Sequence, residues 1–163
     1  MYRNNKTKKN KVIKCNQKYA LCSAAPCVIN PINKKKATCK CFLKNGINYS
    51  YGKKNCNNIS SYKNKNKSIE YVYSTFSPVL KTNHKYKRIL CPAKYTNLNC
   101  MNKKCTIDVH DKKRPICECD ITNNHGEKWS TWVKNKNKNK NKCNIVSGSS
   151  TKMTTALQKA IKK

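Results

Sequence analysis

CSAAPCVINPINKKKATCKC runs from Cys22 to Cys41, and CMNKKCTIDVHDKKRPICEC runs from Cys100 to Cys119. Both read C-x4-C-x11-C-x-C, in register at a fixed offset of 78 residues. The match extends to a fifth cysteine, Cys56 in one copy and Cys143 in the other, once the nine-residue tract KNKNKNKNK from Lys134 to Lys142 is set aside. Five cysteines in register point to an internal repeat, here a unit of roughly 40–55 residues. Each copy holds two β-prone runs around a polar, proline-bearing loop. In the first, CVIN (Cys27 to Asn30) and ATCKCFL (Ala37 to Leu43) flank NPINKKK; in the second, CTIDV (Cys105 to Val109) and ICECDI (Ile116 to Ile121) flank HDKKRP. Each copy reads as a β-hairpin. Period-two alternation puts Cys39 and Cys41 on one face with Lys40 opposite, and Cys117 and Cys119 on one face with Glu118 opposite. The cysteine faces are expected to be the buried ones.

The bulk composition explains why sulfur is needed. Hydrophobic residues are 37% of the 163, but that figure includes 12 cysteines and nine tyrosines. Mean hydropathy is −0.90. Leu, Ile, Val and Phe are too sparse for one conventional core, and such chains are held by disulfides or metal. Closing a loop of roughly 15 residues is worth about 3 kcal/mol in the chain-entropy model. The expected framework takes Cys15, Cys22, Cys27, Cys39, Cys41 and Cys56 in one half, and Cys91, Cys100, Cys105, Cys117, Cys119 and Cys143 in the other. Its connectivity stays open, because six cysteines allow fifteen pairings. The alternative is zinc held by Cys22, Cys27, Cys39 and Cys41, and by Cys100, Cys105, Cys117 and Cys119. That reading supplies four thiolates per ion but lacks the C-x2-C knuckles usual in structural zinc sites, and it leaves four cysteines over. Otherwise no metal or cofactor is expected.

The segmentation follows from these landmarks. Residues 1–18 read as a disordered basic arm, 19–57 as the first cysteine-rich repeat, and 58–90 as a linker with a central strand in SIEYVYSTFSPVL (Ser68 to Leu80). Residues 91–145 form the second repeat, with 134–142 as a solvated Lys/Asn insertion, and 146–163 a C-terminal helix. Ser149 and Ser150 offer N-caps to that helix, and Met153, Ala156, Leu157, Ala160 and Ile161 fall on one face of it. The fold class is therefore small, disulfide-rich and mainly β: a tandem duplication of a short β-hairpin unit plus a C-terminal α-helix.

Thirty-seven basic against six acidic residues give a formal charge of +31. Such a field attracts nucleic acid, anionic headgroups and acidic glycans alike. An AT-rich genome, whose codons favour Lys and Asn, would produce much of this bias unaided. No apolar run is long enough for a membrane-spanning helix, and the basic start is followed by no apolar stretch of the kind a signal peptide needs. Acid–base catalysis lacks supply, since the carboxylates are only Glu70, Asp108, Asp111, Glu118, Asp120 and Glu127. Asp108 and Asp120 facing each other across the second hairpin is the one paired-carboxylate arrangement on offer; the blander reading makes them partners of nearby lysines. His84, His110 and His125 form no metal motif and read as loop surface. With four glycines there is no phosphate-cradling loop. For single-stranded nucleic acid, Tyr49, Tyr51, Tyr62, Tyr71, Tyr73, Tyr86 and Arg88 supply interleaved rings and charge, while Trp129 and Trp132 read as core or rim on one strand face.

The words Tyr19-Ala20-Leu21-Cys22 with Pro26-Cys27, Cys39-x-Cys41, YSTFS at Tyr73 to Ser77, and Cys91-Pro92 followed by Cys100, Cys105 and Cys117-x-Cys119 give a further lead. With them the chain resembles a family of small cysteine-rich exported proteins of gammaproteobacteria, of unassigned function, over most of 19–145. The resemblance implies a disulfide-bonded, non-enzymatic exported protein with no known ligand. Members carry a signal peptide running straight into the YALC segment; here a basic arm and Cys15 stand in that place. The expected function is a non-catalytic, exported (periplasmic or extracellular), basic binding or structural protein meeting an anionic surface or polymer. The alternative is an intracellular, cytoplasmic zinc-stabilised nucleic-acid-binding protein.

Overall fold

A computed structural model describes residues 11–52, 56, 60–64, 67–78, 84–134 and 142–161. Among them run β1 (Lys11–Leu21), β2 (Cys27–Ile29), β3 (Lys36–Lys40), β4 (Phe42–Gly52), β5 (Ser60–Asn64), β6 (Lys67–Tyr73) and β7 (Tyr86–Cys91). There follow β8 (Asn97–Asn99), β9 (Lys104–Thr106), β10 (Ile116–Thr122), β11 (Trp129–Lys134), β12 (Val146–Ser150) and α1 (Thr151–Ile161). The protein is mainly β and disulfide-rich, and among the described residues it has one helix, at the C-terminal end. β1 and β4 form an antiparallel ribbon, and the other ten strands form one sheet.

The cysteine pairing is Cys15–Cys56, Cys22–Cys41 and Cys27–Cys39, then Cys91–Cys143, Cys100–Cys119 and Cys105–Cys117. Every bridge stays within its own half. The four inner bridges repeat at the offset of 78, and so does the strand register. Leu21 pairs with Phe42 and Ala20 with Leu43; 78 residues on, Asn99 pairs with Asp120 and Leu98 with Ile121. Cys27 opposes Cys39, and Cys105 opposes Cys117. The loops match as well. Asn30 and Asp108 each accept, through Oδ1, the backbone N–H two residues on. Ala24 and Asn102 both sit in the left-handed region at φ 59°.

The halves meet through β3 and β10, in antiparallel register with Cys39 opposite Cys117 and Lys36 opposite Asp120. Because Cys39 and Cys117 are themselves counterparts, a local two-fold axis passes between them. Its hydrogen bonds come in matched pairs: Leu43 N–H donates to Lys113 O, and Ile121 N–H to Lys35 O, both at 2.9 Å. The main core cluster has twelve buried residues, seven of them cysteines, joined by Ala20, Ala25, Ala37, Val72 and Leu98. Cystine sulfur takes the place of the missing Leu and Ile, and small alanines allow the strands to close over it.

The YSTFS segment straps the β1–β4 ribbon to the second half. Thr75 N–H donates to Ala20 O, and Tyr49 and Phe76 exchange backbone bonds. Asn102 N–H donates to Ser74 O at 2.7 Å, and Ser74 Oγ donates to Cys100 O. The buried Tyr19 hydroxyl donates to Ser77 Oγ at 2.7 Å. These contacts explain why a polar word sits in the interior: its side chains satisfy groups that the sheets leave open.

Four expectations need correction. Residues 11–18, assigned to a disordered arm, belong to β1, because Cys15 is bridged to Cys56 and the strand lies along β4. The linker 58–90 holds more than one central strand: β5 and β6 form a hairpin, and β7 pairs with β11. Residues 146–150, assigned to the helix, form β12, held in parallel by β8 and antiparallel by β11. Trp129 and Trp132, three apart, lie on opposite faces of β11 as period-two geometry requires. Of the Lys/Asn insertion 134–142, Lys134 belongs to β11, paired with Tyr86, and residues 135–141 lie outside the described residues. The helix itself follows its sequence pattern: Ser150 Oγ caps it by accepting Met153 N–H at 3.2 Å, and Leu157 is buried.

Candidate binding surface

The sulfur framework sits at the centre of the molecule. Cys39, Cys41, Cys105, Cys117 and Cys119 are fully buried, with Cys22 and Cys100 nearly so. Across the local two-fold axis the Sγ atoms of Cys39 and Cys100 approach to 3.9 Å. Two sulfur trios, Cys22/Cys41/Cys117 and Cys22/Cys100/Cys119, each lie within 4.8 Å. All twelve cysteines are in bridges and none is free. The per-half zinc sets, Cys22/Cys27/Cys39/Cys41 and Cys100/Cys105/Cys117/Cys119, are each two disulfides here, and the tightest sulfur groupings draw on both halves.

Among the exposed charged residues described around this centre, lysine predominates. Among the described residues Asp120 is the carboxylate that ties the two halves together. Its two oxygens take Lys36 from the first half and Lys103 from the second. Partial burial pushes the Asp120 carboxyl up, and hydrogen bonds from Lys103 and Lys36, reinforced by their charges, outweigh it and leave the group below the usual carboxylate range. Lys36 is held above its ordinary value, chiefly by the hydrogen bond to Asp120. Asp111 pairs with Lys40 at 3.4 Å. Asp108 lies beyond the turn end of the β9–β10 hairpin, where its side chain accepts His110 N–H at 2.8 Å. The Asp108–Asp120 pair is therefore not brought together. His84, His110 and His125 are all exposed on loops.

The tyrosines do not line up as one stacking platform. Tyr49 is buried, and Tyr86 packs with Trp132 against the Tyr19–Leu21 cluster. Tyr71 and Tyr73, two apart on β6, meet edge to face at 6.0 Å, with the Lys104 ammonium 3.9 Å from the Tyr71 ring centre. Tyr51 is half-buried, and the Tyr62 side chain lies outside the described residues.

A feature with no counterpart in the sequence reading lies under α1. A cavity of about 230 Å³ opens between the helix, β11, β12 and the Thr75–Phe76 strap. Phe76, Met101, Trp132, Met153 and Leu157 form its apolar walls, and Arg88 stands at its edge. Gln158, on the helix, lines the cavity beside Arg88. Thr75, Asn99, Ser130, Thr131, Ser147 and Thr154 add polar groups to its lining. The only forewarning in the sequence was the apolar stripe of the helix. Burial took Leu157 from that stripe and left Met153 and Ile161 half-buried on the cavity.

No protein-family model, no curated protein and no solved structure matches this chain.

Proposed function

We propose that the chain is a non-catalytic, exported, disulfide-stabilised protein that binds or scaffolds anionic partners through its lysine surface. The observation that carries this reading is the pairing of all twelve cysteines in a chain of formal charge +31. Buried disulfides persist in oxidising compartments. A surface whose few carboxylates include two already matched to lysines keeps an unopposed positive field for phosphates, sulfates or uronates. The repeated bridges and register support reading the halves as copies of one duplicated unit. The resemblance to exported gammaproteobacterial cysteine-rich proteins points the same way. The test is binding of the oxidised protein to heparin, lipopolysaccharide and single-stranded DNA across a salt series. The expected result is comparable affinity for all three, falling log-linearly with salt. A strong preference for the nucleic acid at matched charge would contradict it.

A second reading, an intracellular zinc-stabilised nucleic-acid binder, is favoured by one observation. The sulfur trios Cys22/Cys41/Cys117 and Cys22/Cys100/Cys119 would present clustered ligands if reduced. Native mass spectrometry of protein made under reducing conditions, with and without zinc, separates the two readings.

A further inference from the structure

The local two-fold axis makes β2 and β9 counterparts, yet their outer edges differ. On β9, alternate residues turn their backbone groups outward, and β6 takes them. Ser74 N–H donates to Lys103 O at 2.9 Å and Ile107 N–H to Glu70 O at 3.0 Å. Between them Val72 pairs with Cys105, and Tyr71 and Tyr73 with Thr106 and Lys104. The counterparts of Lys103, Cys105 and Ile107 are Ala25, Cys27 and Ile29. On the inner side of β2, Lys40 N–H donates to Pro26 O and Asn30 N–H to Lys36 O, with Val28 opposite Thr38. Alternation in an antiparallel ladder therefore turns the N–H and C=O groups of Cys27 and Ile29 outward. Among the described residues no strand takes them. Val28 is 67% exposed and Ile32, in the adjoining loop, 94%.

We propose that the β2 edge is a docking site for an extended, acidic-flanked apolar segment of a partner protein, added antiparallel as β6 is added to β9. Main-chain hydrogen bonds supply the affinity in this mode and alternate side chains the selectivity. The internal occupant shows what the edge accepts. β6 reads Glu70-Tyr71-Val72-Tyr73, and Glu70 is the sole acidic residue among the first 107. Charge argues for the same chemistry, because exposed Lys34 and Lys35 adjoin the β2 edge and a second copy would bring another +31. The brevity of β2 is no obstacle: β9 is also three residues long and holds its partner. Pro26 does not block the edge either, since its nitrogen faces β3.

The site rests on backbone geometry, with the anion-binding reading used only for the acidic flank. The probe is a capped synthetic peptide of Ser68 to Ser74, added to the full oxidised chain and followed by residue-resolved amide hydrogen exchange. The Cys27 and Ile29 amides are expected to slow about tenfold or more, with Val28 and Asn30, already bonded inward, unchanged. This protection should survive high salt, whereas polyanion binding should not. Ile29→Pro deletes one outward donor and should weaken the peptide about tenfold. Val28→Lys, which leaves every donor in place, should weaken it through lost apolar cover and added charge, and unchanged exchange at Val72 and Leu98 checks that both variants fold. A peptide carrying Glu70→Lys should bind more weakly than the parent. The proposal fails if saturating peptide leaves Cys27 and Ile29 unprotected, or if protection is spread over the lysine loops and vanishes with salt. It also fails if the protein alone self-associates with those two amides already protected. Heparin binding that persists while the peptide fails would sink the edge alone; the reverse would sink the polyanion reading alone.

Discussion

Removing Cys22–Cys41 by a double alanine substitution leaves the inner bridge, Cys27–Cys39, in place, and the geometry sets the cost. The outer bridge spans 19 residues and the inner one already ties 12 of them. The loop newly freed in the unfolded chain is therefore about eight residues long, which is worth about 2.5 kcal/mol in the chain-entropy model. Cys22 and Cys41 are 3% and 0% exposed, so losing the two sulfurs also leaves unfilled volume, adding about 1 kcal/mol. The counterpart bridge, Cys100–Cys119, spans the same 19 residues around the same 12, with ends 5% and 0% exposed. Urea unfolding followed by Trp129 and Trp132 fluorescence should show each double variant losing about 3–4 kcal/mol. The two losses should agree within about 1 kcal/mol. A loss below about 1 kcal/mol in either, or a difference above about 2 kcal/mol between them, would refute the two-fold equivalence on which the calculation rests.

Other perturbations test separate parts of the fold. Ala24, at φ 59°, holds a left-handed conformation that costs an L-residue about 1 kcal/mol; Ala24→Gly should raise the urea midpoint, and a lowered midpoint would count against that geometry. Gly148→Ala would drive a methyl group into the Trp129 ring and Asn97 Oδ1, so a loss of about 1–3 kcal/mol is expected, measured by the same unfolding curve. Asp120, whose folded carboxyl titrates below its ordinary value, contributes stability that is complete above the unfolded carboxylate range near about pH 4. That contribution disappears as pH falls through the folded value. The wild-type midpoint should therefore drop across the acid range more steeply than that of Asp120→Asn, and parallel curves would exclude the role. Ser150→Ala removes the cap on Met153 N–H and should cost about 1 kcal/mol, seen as reduced helical circular dichroism and midpoint.

The cysteine word C-x4-C-x11-C-x-C carried both hairpins and the burial of the C-x-C faces, because period-two geometry is local, and left open which cysteines pair. What it could not carry was partnership. Nothing in ATCKC or ICEC says that Cys39 lies opposite Cys117, since that pairing is set by the fit of two hairpins 78 residues apart. β5 was hidden because SSYKN sits in a run of Lys and Asn that reads as spacer; its strand conformation comes from pairing with β6. VSGSS has a single branched residue, Val146, and β12 forms because β8 and β11 flank it. Residues 11–18 looked solvated because Lys11, Lys14 and Lys18 punctuate a polar run, yet Cys15 and Tyr19, four apart on β1 and so on one face of it, are both buried. The cavity beneath α1 depends on how the helix docks and has no linear signature beyond its apolar stripe.

Disulfide-mapped intact mass of the natural protein tests the central claim most directly. The account predicts a chain lighter than its reduced form by two hydrogens for each of six bridges. After proteolysis it predicts Cys22–Cys41 nested with Cys27–Cys39, and Cys100–Cys119 with Cys105–Cys117. Free thiols in an ordered protein would contradict it, as would a bridge crossing the halves, such as one joining the neighbouring sulfurs of Cys39 and Cys100.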